Sequence, residues 1–181
     1  MPEYRRAKTK GATYFFTVNC LHRGRNGILI ENIDHLRLSF RKVKEDHPFK
    51  FEAVVVLPDH LHFIRALPEN AADFGKRWNL VKANFSRAIP PGTTEPVSGS
   101  RQRRGERAIW QRRFWEHQIR DDRDYKNHVD YIHFNPVKHG YCARAGDWPF
   151  SSFHKFVRNG VYPPDWSDDP VHVRLPTAYD N

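Results

Sequence analysis

Leu57-Pro58-Asp59-His60-Leu61-His62-Phe63 sets one apolar residue between two histidines. The run before it, Phe51-Glu52-Ala53-Val54-Val55-Val56, is β-branched and apolar and reads as a buried strand. Pro58 and Asp59 break that strand, and His60-Leu61-His62-Phe63-Ile64 reads as the next. Residues two apart on a strand point to the same face. His60 and His62 therefore share one face, and Leu61 and Phe63 face a core on the other. Two imidazoles side by side on a rigid strand are half of a divalent-metal site. Without further partners, the same pair is an ordinary polar face.

Outward from this pair the elements alternate. Ala12 to Asn19 is rich in aromatic and β-branched residues and reads as the first strand. Asn32 or Asp34 caps a helix from Ile33 to about Glu45, whose core stripe is Leu36, Phe40 and Val43. After the two strands around Pro58, Asn70 opens a second helix from Ala71 to about Ala88, with Phe74, Trp78, Val81 and Phe85 on one side. Pro90-Pro91-Gly92 stops it. Residues 90–107 lack apolar periodicity and read as a mobile basic linker. Ile109 to Ile119 reads as a fourth strand. Asp121-Asp122 starts a third helix carrying Tyr125, Val129 and Ile132, which Asn135-Pro136 ends or kinks. This order predicts an α+β, ferredoxin-like split βαβ fold. The expected sheet is four-stranded and antiparallel, with helices on one face plus an extra C-terminal helix. One domain is expected over 1–155, followed by an acidic, mostly irregular tail over 156–181.

The chain has 181 residues and a formal charge of +9, with a pI near 9.8. Such a charge speaks to partners rather than fold, and nucleic acid is the leading polyanion. Arg5, Arg6, Lys8 and Lys10 crowd the start, and Arg101, Arg103, Arg104 and Arg107 crowd the linker. Either group suits DNA phosphates, and Tyr14, Trp110 and Trp115 suit unpaired bases unless the core takes them. Cys20 and Cys142 form no C-x-x-C pattern, which argues against a zinc knuckle and fits a reducing cytoplasm. No apolar run follows Met1, so neither signal peptide nor membrane span is expected.

Tyr131 and Asn135 lie four apart and share a helix face. If that face meets the histidine strand, a phenol and an amide oxygen arrive beside the two imidazoles. Histidine, amide oxygen and water suit Mg²⁺ or Mn²⁺ better than tetrahedral zinc. A phenol is a weak nucleophile at neutral pH, and a divalent cation polarises the phosphate it attacks. Read singly, Tyr131 is a half-buried helix aromatic and Asn135 a helix C-cap.

Three blocks carry a resemblance. Pro58-Asp59-His60-Leu61-His62 resembles the His-hydrophobe-His (HUH) motif of single-tyrosine DNA endonucleases. Trp110-Gln111-Arg112-Arg113-Phe114-Trp115-Glu116 and Tyr131-Ile132-His133-Phe134-Asn135-Pro136-Val137-Lys138-His139-Gly140-Tyr141 resemble transposases associated with repetitive extragenic palindromes (REP). The resemblance implies that His60, His62 and Asn135 hold Mg²⁺ or Mn²⁺ and that Tyr131 is the nucleophile. It implies a substrate of single-stranded DNA with hairpins, cleaved to a 5′-phosphotyrosine and a free 3′-OH. It leaves monomer or homodimer open, since mobile-element relatives dimerise and the palindrome-associated branch is more often monomeric. Asp59 departs from it, standing where relatives often have Asn. Tyr125, six residues before Tyr131, falls roughly on the opposite helix face. Two other functions fit the same residues: a catalytically silent hairpin binder, and a metal-dependent phosphoesterase with Glu116 or Asp130 as base.

Overall fold

The computed structural model describes residues 9–22, 27–93 and 96–167. Arg5, Arg6, Lys8 and the acidic residues from Asp168 onward lie outside them. The elements run β1 (Thr13–Asn19), α1 (Ile28–Glu31), α2 (Ile33–Asp46), β2 (Lys50–Val56), β3 (His60–Ala66) and α3 (Phe74–Ala88). Then follow α4 (Gly99–Gln102), β4 (Trp115–Gln118), α5 (Asp122–Lys138), a 3-10 turn at Ala145–Asp147 and α6 (Phe153–Arg158). The strands form one antiparallel sheet in the order β2-β3-β1-β4. This is the expected ferredoxin-like arrangement, and α5 is the expected additional helix.

The sheet is buried on both faces. Tyr14, Phe16, Val18, Leu61 and Phe63 point into one core with the predicted stripes of α2 and α3. Phe15, Val55 and Ile64 point into a second core with Val129, Tyr131 and Ile132 of α5. The two histidines therefore do not border solvent; their face is a core too, closed by α5. Phe153, Tyr162 and Trp166 complete it, so the boundary expected at residue 155 falls inside α6 and the fold continues beyond it.

Several elements depart from expectation. The fourth strand is shorter, because Trp110 meets β1 only through an isolated bridge to Cys20. Helix α3 begins three residues late, at Asp73 as N-cap. The short α1 carried no usable periodicity. The segment expected to be a mobile linker is stitched down. Arg107 donates to Ser86 O and Ile89 O, and to Pro90 O at 2.7 Å, occupying carbonyls at the end of α3. Glu106 accepts from Arg101 at 3.2 Å and from Arg112 at 2.9 Å. Among the described residues, no helix is long and apolar enough to cross a membrane.

Candidate active site

The turn before β3 fixes the first histidine. Leu57 N–H donates to His60 O at 2.8 Å, Cys20 N–H to Asp59 O at 2.7 Å and Leu29 N–H to Pro58 O at 3.2 Å. These bonds hold Asp59 in the interior, 4% exposed, with its Oδ1 only 2.6 Å from Nδ1 of His60. On the neighbouring strand, Thr17 Oγ1 lies 2.9 Å from Nδ1 of His62. Nδ1 of each ring is thus engaged, which makes Nε2 of each the nitrogen that would take a metal ion held between the rings. The rings stand 5.0 Å apart at 81°. The sequence reading missed both Asp59 and Thr17 as partners of the histidines. Thr17 shows its role in the register, opposite His62.

Helix α5 brings the candidate nucleophile, Tyr131. Asp121 caps it, its carboxylate accepting from Asp124 N–H at 2.8 Å. Pro136 neither ends nor breaks it: the helix continues to Lys138, since proline so close to the end forfeits one bond in an already fraying turn. The Tyr131 ring lies 5.3 Å from the His62 ring and 6.0 Å from Phe15. Two turns later the His139 ring lies 5.1 Å from His60. Asn135 sits between these two contacts on the same stripe of α5, so its side chain faces the histidine pair. It is 0% exposed, and neither its Oδ1 nor its Nδ2 has a hydrogen-bond partner among the described residues. A buried amide in that state is costly unless something occupies it. An ion taking Oδ1 with the two imidazoles fits this donor set and accounts for the orphaned oxygen. Lys138 sets its ammonium 5.0 Å from the Tyr131 ring centroid, placing positive charge beside the phenol.

The rival tyrosine is otherwise employed. Tyr125 donates to Glu52 Oε2 at 3.4 Å, and burial together with that carboxylate pushes its pKa up to about 12. The two carboxylates considered as bases also face elsewhere. Glu116 is the register partner of Phe16 and so shares the face opposite the histidines. Asp130 accepts from Tyr162 at 2.5 Å and pairs with Lys126.

His117, Asp124 and His128 form a second cluster of metal-capable groups, their ligand atoms within 4.8 Å of one another. The two imidazoles stack at 4.6 Å and 12°. Near-parallel rings cannot aim their in-plane lone pairs at one ion. Asp124 meanwhile accepts from His117 at 2.8 Å and from Arg120 N–H at 3.0 Å. The cluster works as a clasp between β4 and the first turn of α5.

The basic residues divide. Lys10, Arg103 and Arg104 are exposed. Arg101 is mostly covered, bonded to Glu106 and to Trp110 O. With Lys82, Arg87, Arg107 and Arg112 it lines a cleft of about 560 Å³ between α3 and the stitched segment. Trp110 is no open platform for a base: it is 6% exposed, packed on Phe85 at 5.3 Å with the Lys82 ammonium 5.9 Å away. Tyr14 is wholly buried.

A ferredoxin-like sheet whose His-x-His strand faces a helix-borne tyrosine has the layout of the single-tyrosine class anticipated from the motifs. No family-level sequence model matches the chain. The chain is 47% identical over 169 residues to the REP-associated tyrosine transposase of Escherichia coli (strain K12), covering 93% of each. It is 44% identical over 170 residues to the putative REP-associated tyrosine transposase of Haemophilus influenzae (strain ATCC 51907 / DSM 11121 / KW20 / Rd), covering 94% of this chain and 96% of that one. A solved REP-associated tyrosine transposase bound to a REP hairpin superposes with a TM-score of 0.79 at 46% identity, covering 94% of this chain and 93% of that one. The chain belongs to the REP-associated tyrosine transposases and is a transposase enzyme.

Proposed function

We propose that this transposase is a divalent-metal-dependent endonuclease and strand transferase. It acts on single-stranded DNA carrying palindromic-repeat hairpins, with Tyr131 as nucleophile. The observation that carries the reading is the Tyr131 ring 5.3 Å from His62, with the orphaned Asn135 amide one turn further along the same face. The related transposase bound to a REP hairpin supports the substrate class.

His60, His62 and Asn135 hold the ion, which is Mg²⁺ or Mn²⁺ by the oxygen in the donor set. When bound, it polarises the scissile phosphate and offsets charge in the transition state. Asp59 and Thr17 orient the two imidazoles. Tyr131 Oη forms a bond to phosphorus as the P–O3′ bond breaks. The phenolic proton passes to water, and the departing 3′ oxygen takes one from water and leaves as a hydroxyl, so no net proton is gained or lost. The phosphotyrosine retains the energy of the phosphodiester, and a returning 3′-OH reverses the step. Lys138 and the exposed Arg103 and Arg104 meet phosphates outside the reacting centre.

The test is a denaturing gel with labelled hairpin DNA, wild-type protein and Tyr131→Phe, in Mn²⁺ or EDTA. A band migrating as protein joined to DNA is expected for wild type in Mn²⁺ alone, absent from the variant. Cleavage without that band, persisting in Tyr131→Phe, overturns the tyrosine mechanism. A salt-sensitive mobility shift with no cleavage leaves a hairpin-binding protein instead.

A further inference from the structure

His133 is wholly buried and takes no part in the chemistry above. It points away from the site. Asp130 and His133 lie three apart on α5, roughly 150° round the helix from the stripe of Tyr131 and Asn135. On that far side they meet the segment that follows α6. Gly160, at a left-handed φ of +71°, closes α6. Its N–H donates to Val157 O at 3.0 Å, and Val161 N–H donates to Phe156 O at 2.9 Å. The turn lays Tyr162 back on the helices, stacked on Phe153 at 5.5 Å and against Trp166 at 4.5 Å.

A chain of hydrogen bonds runs through these groups. Tyr162 donates its hydroxyl proton to Asp130 Oδ1 at 2.5 Å. Its oxygen therefore accepts from Nδ1–H of His133, at a longer 3.4 Å. That tautomer leaves His133 Nε2 to accept from Ser152 Oγ at 2.8 Å. Ser152 Oγ in turn accepts from Val54 N–H at 2.9 Å, and Ser152 N–H donates to Val54 O at 2.8 Å. Val54 lies on β2, the neighbour of the histidine strand. The chain thus ties the back of α5 to the same sheet that its front faces. Around it the packing is aromatic, with the His133 ring 4.6 Å from Phe156 and 5.8 Å from Phe153. Apolar side chains would fill this space without the cost of desolvating polar groups. Hydrogen bonds add what apolar packing lacks, a set distance and direction.

We propose that Tyr162, His133 and Ser152 are positioning residues for the transfer step. With Asp130 they form a strut that sets the roll of α5, and so the placement of Tyr131 over the His60–His62 pair. This assignment rests on the function proposed above and adds what keeps its nucleophile in line. A displacement of about 1 Å at a reacting atom can cost roughly 100-fold in rate. A small roll of α5 moves the phenol oxygen that far with little change in buried area, so packing alone sets the roll loosely. The strut also makes the residues after α6 a working part of the site.

The experiment uses the full-length protein and a labelled hairpin with a single-stranded flank. It reads the single-turnover rate of adduct formation in Mn²⁺ and hairpin affinity in EDTA. Tyr162→Phe removes only the hydroxyl and keeps the stacked ring, while Ser152→Ala cuts the other end of the chain. Each is expected to slow adduct formation roughly 10- to 100-fold and to leave hairpin affinity unchanged. Val157→Ala loosens the packing of α6 without touching a link of the chain, and is expected to keep the wild-type rate. Circular dichroism and urea midpoints verify that the variants fold. A wild-type rate in either chain variant overturns the strut. So does a slowing that Val157→Ala shares, or one carried wholly by weaker hairpin binding. In each of these cases adduct formation by the wild type leaves the proposed function standing. Wild-type protein that forms no adduct removes that function and the strut with it.

Discussion

Asp59 shows what a single residue does that its neighbours in sequence conceal. Adjacent strand residues point to opposite faces, so nothing in the pattern puts Asp59 beside the ring of His60. Only the turn, held by the backbone bonds of Leu57 and Cys20, swings the carboxylate round to Nδ1 at 2.6 Å. His60, His62, Tyr131 and Asn135 were legible because strand and helix periods fix which side chains share a face. Trp110 was misread because it lies on an isolated bridge, where no period applies. Asp59→Asn keeps an acceptor near His60 but removes its charge. With His60 as a ligand, as proposed, Mn²⁺ affinity of the intact protein, measured by calorimetry, is expected to weaken roughly 10- to 100-fold, the usual effect of removing an outer partner from a ligating histidine. Affinity unchanged within twofold would show that Asp59 serves only the turn.

At the scale of elements, α5 is the part most completely written in the sequence. Its cap, its face and its tyrosine were all readable, and only its persistence through Pro136 was not. Its first turn is held to β4 by the clasp of His117, Asp124 and His128. Burial holds the His128 pKa below its ordinary value, so the ring is neutral in the fold. The unfolded chain binds a proton there more readily as pH drops below about 6.5. The stability it contributes is therefore full above that pH and is lost as pH falls toward its folded pKa. His133, with a pKa lowered to about 3 by burial, acts in the same direction. Burial would raise the Asp124 carboxyl, but its bonds from His117 and Arg120 hold it below the usual value. Its share is lost only under stronger acid. Urea midpoints should fall between pH 7 and pH 5, and His128→Gln should flatten that fall. An identical pH dependence in the variant would show that His128 carries none of it.

For the whole molecule, covering the sheet on both sides sets the distribution of cost. A sheet with one wet face would let every second residue of β3 reach water. Here Arg65 is 1% exposed, ringed by Phe16, Phe49 and Phe63 with its guanidinium carbon 4.9 to 5.9 Å from their centroids. It donates to Phe74 O at 3.3 Å, while its Nε has no partner among the described residues. Burial, aided by the charge of Arg77, lowers its pKa to about 9. Sequence alone did not disclose this cation, because an arginine after Ile64 reads as the end of a strand. Arg65→Met is expected to leave urea stability unchanged or raise it by about 1–3 kcal/mol, since a packed apolar side chain often replaces a buried charge without loss. A clear loss would show that the aromatic ring contacts outweigh desolvation.

Tyr131 is 3% exposed, walled by Phe15 and His62. In the proposed mechanism, a nucleophile that bulk water seldom touches becomes, once joined to DNA, an ester that bulk water seldom touches. The lifetime of such a joint is then governed by how rarely the two layers part, a clock wound by packing. A break held shut in this way can wait for the right strand end instead of decaying to a permanent nick.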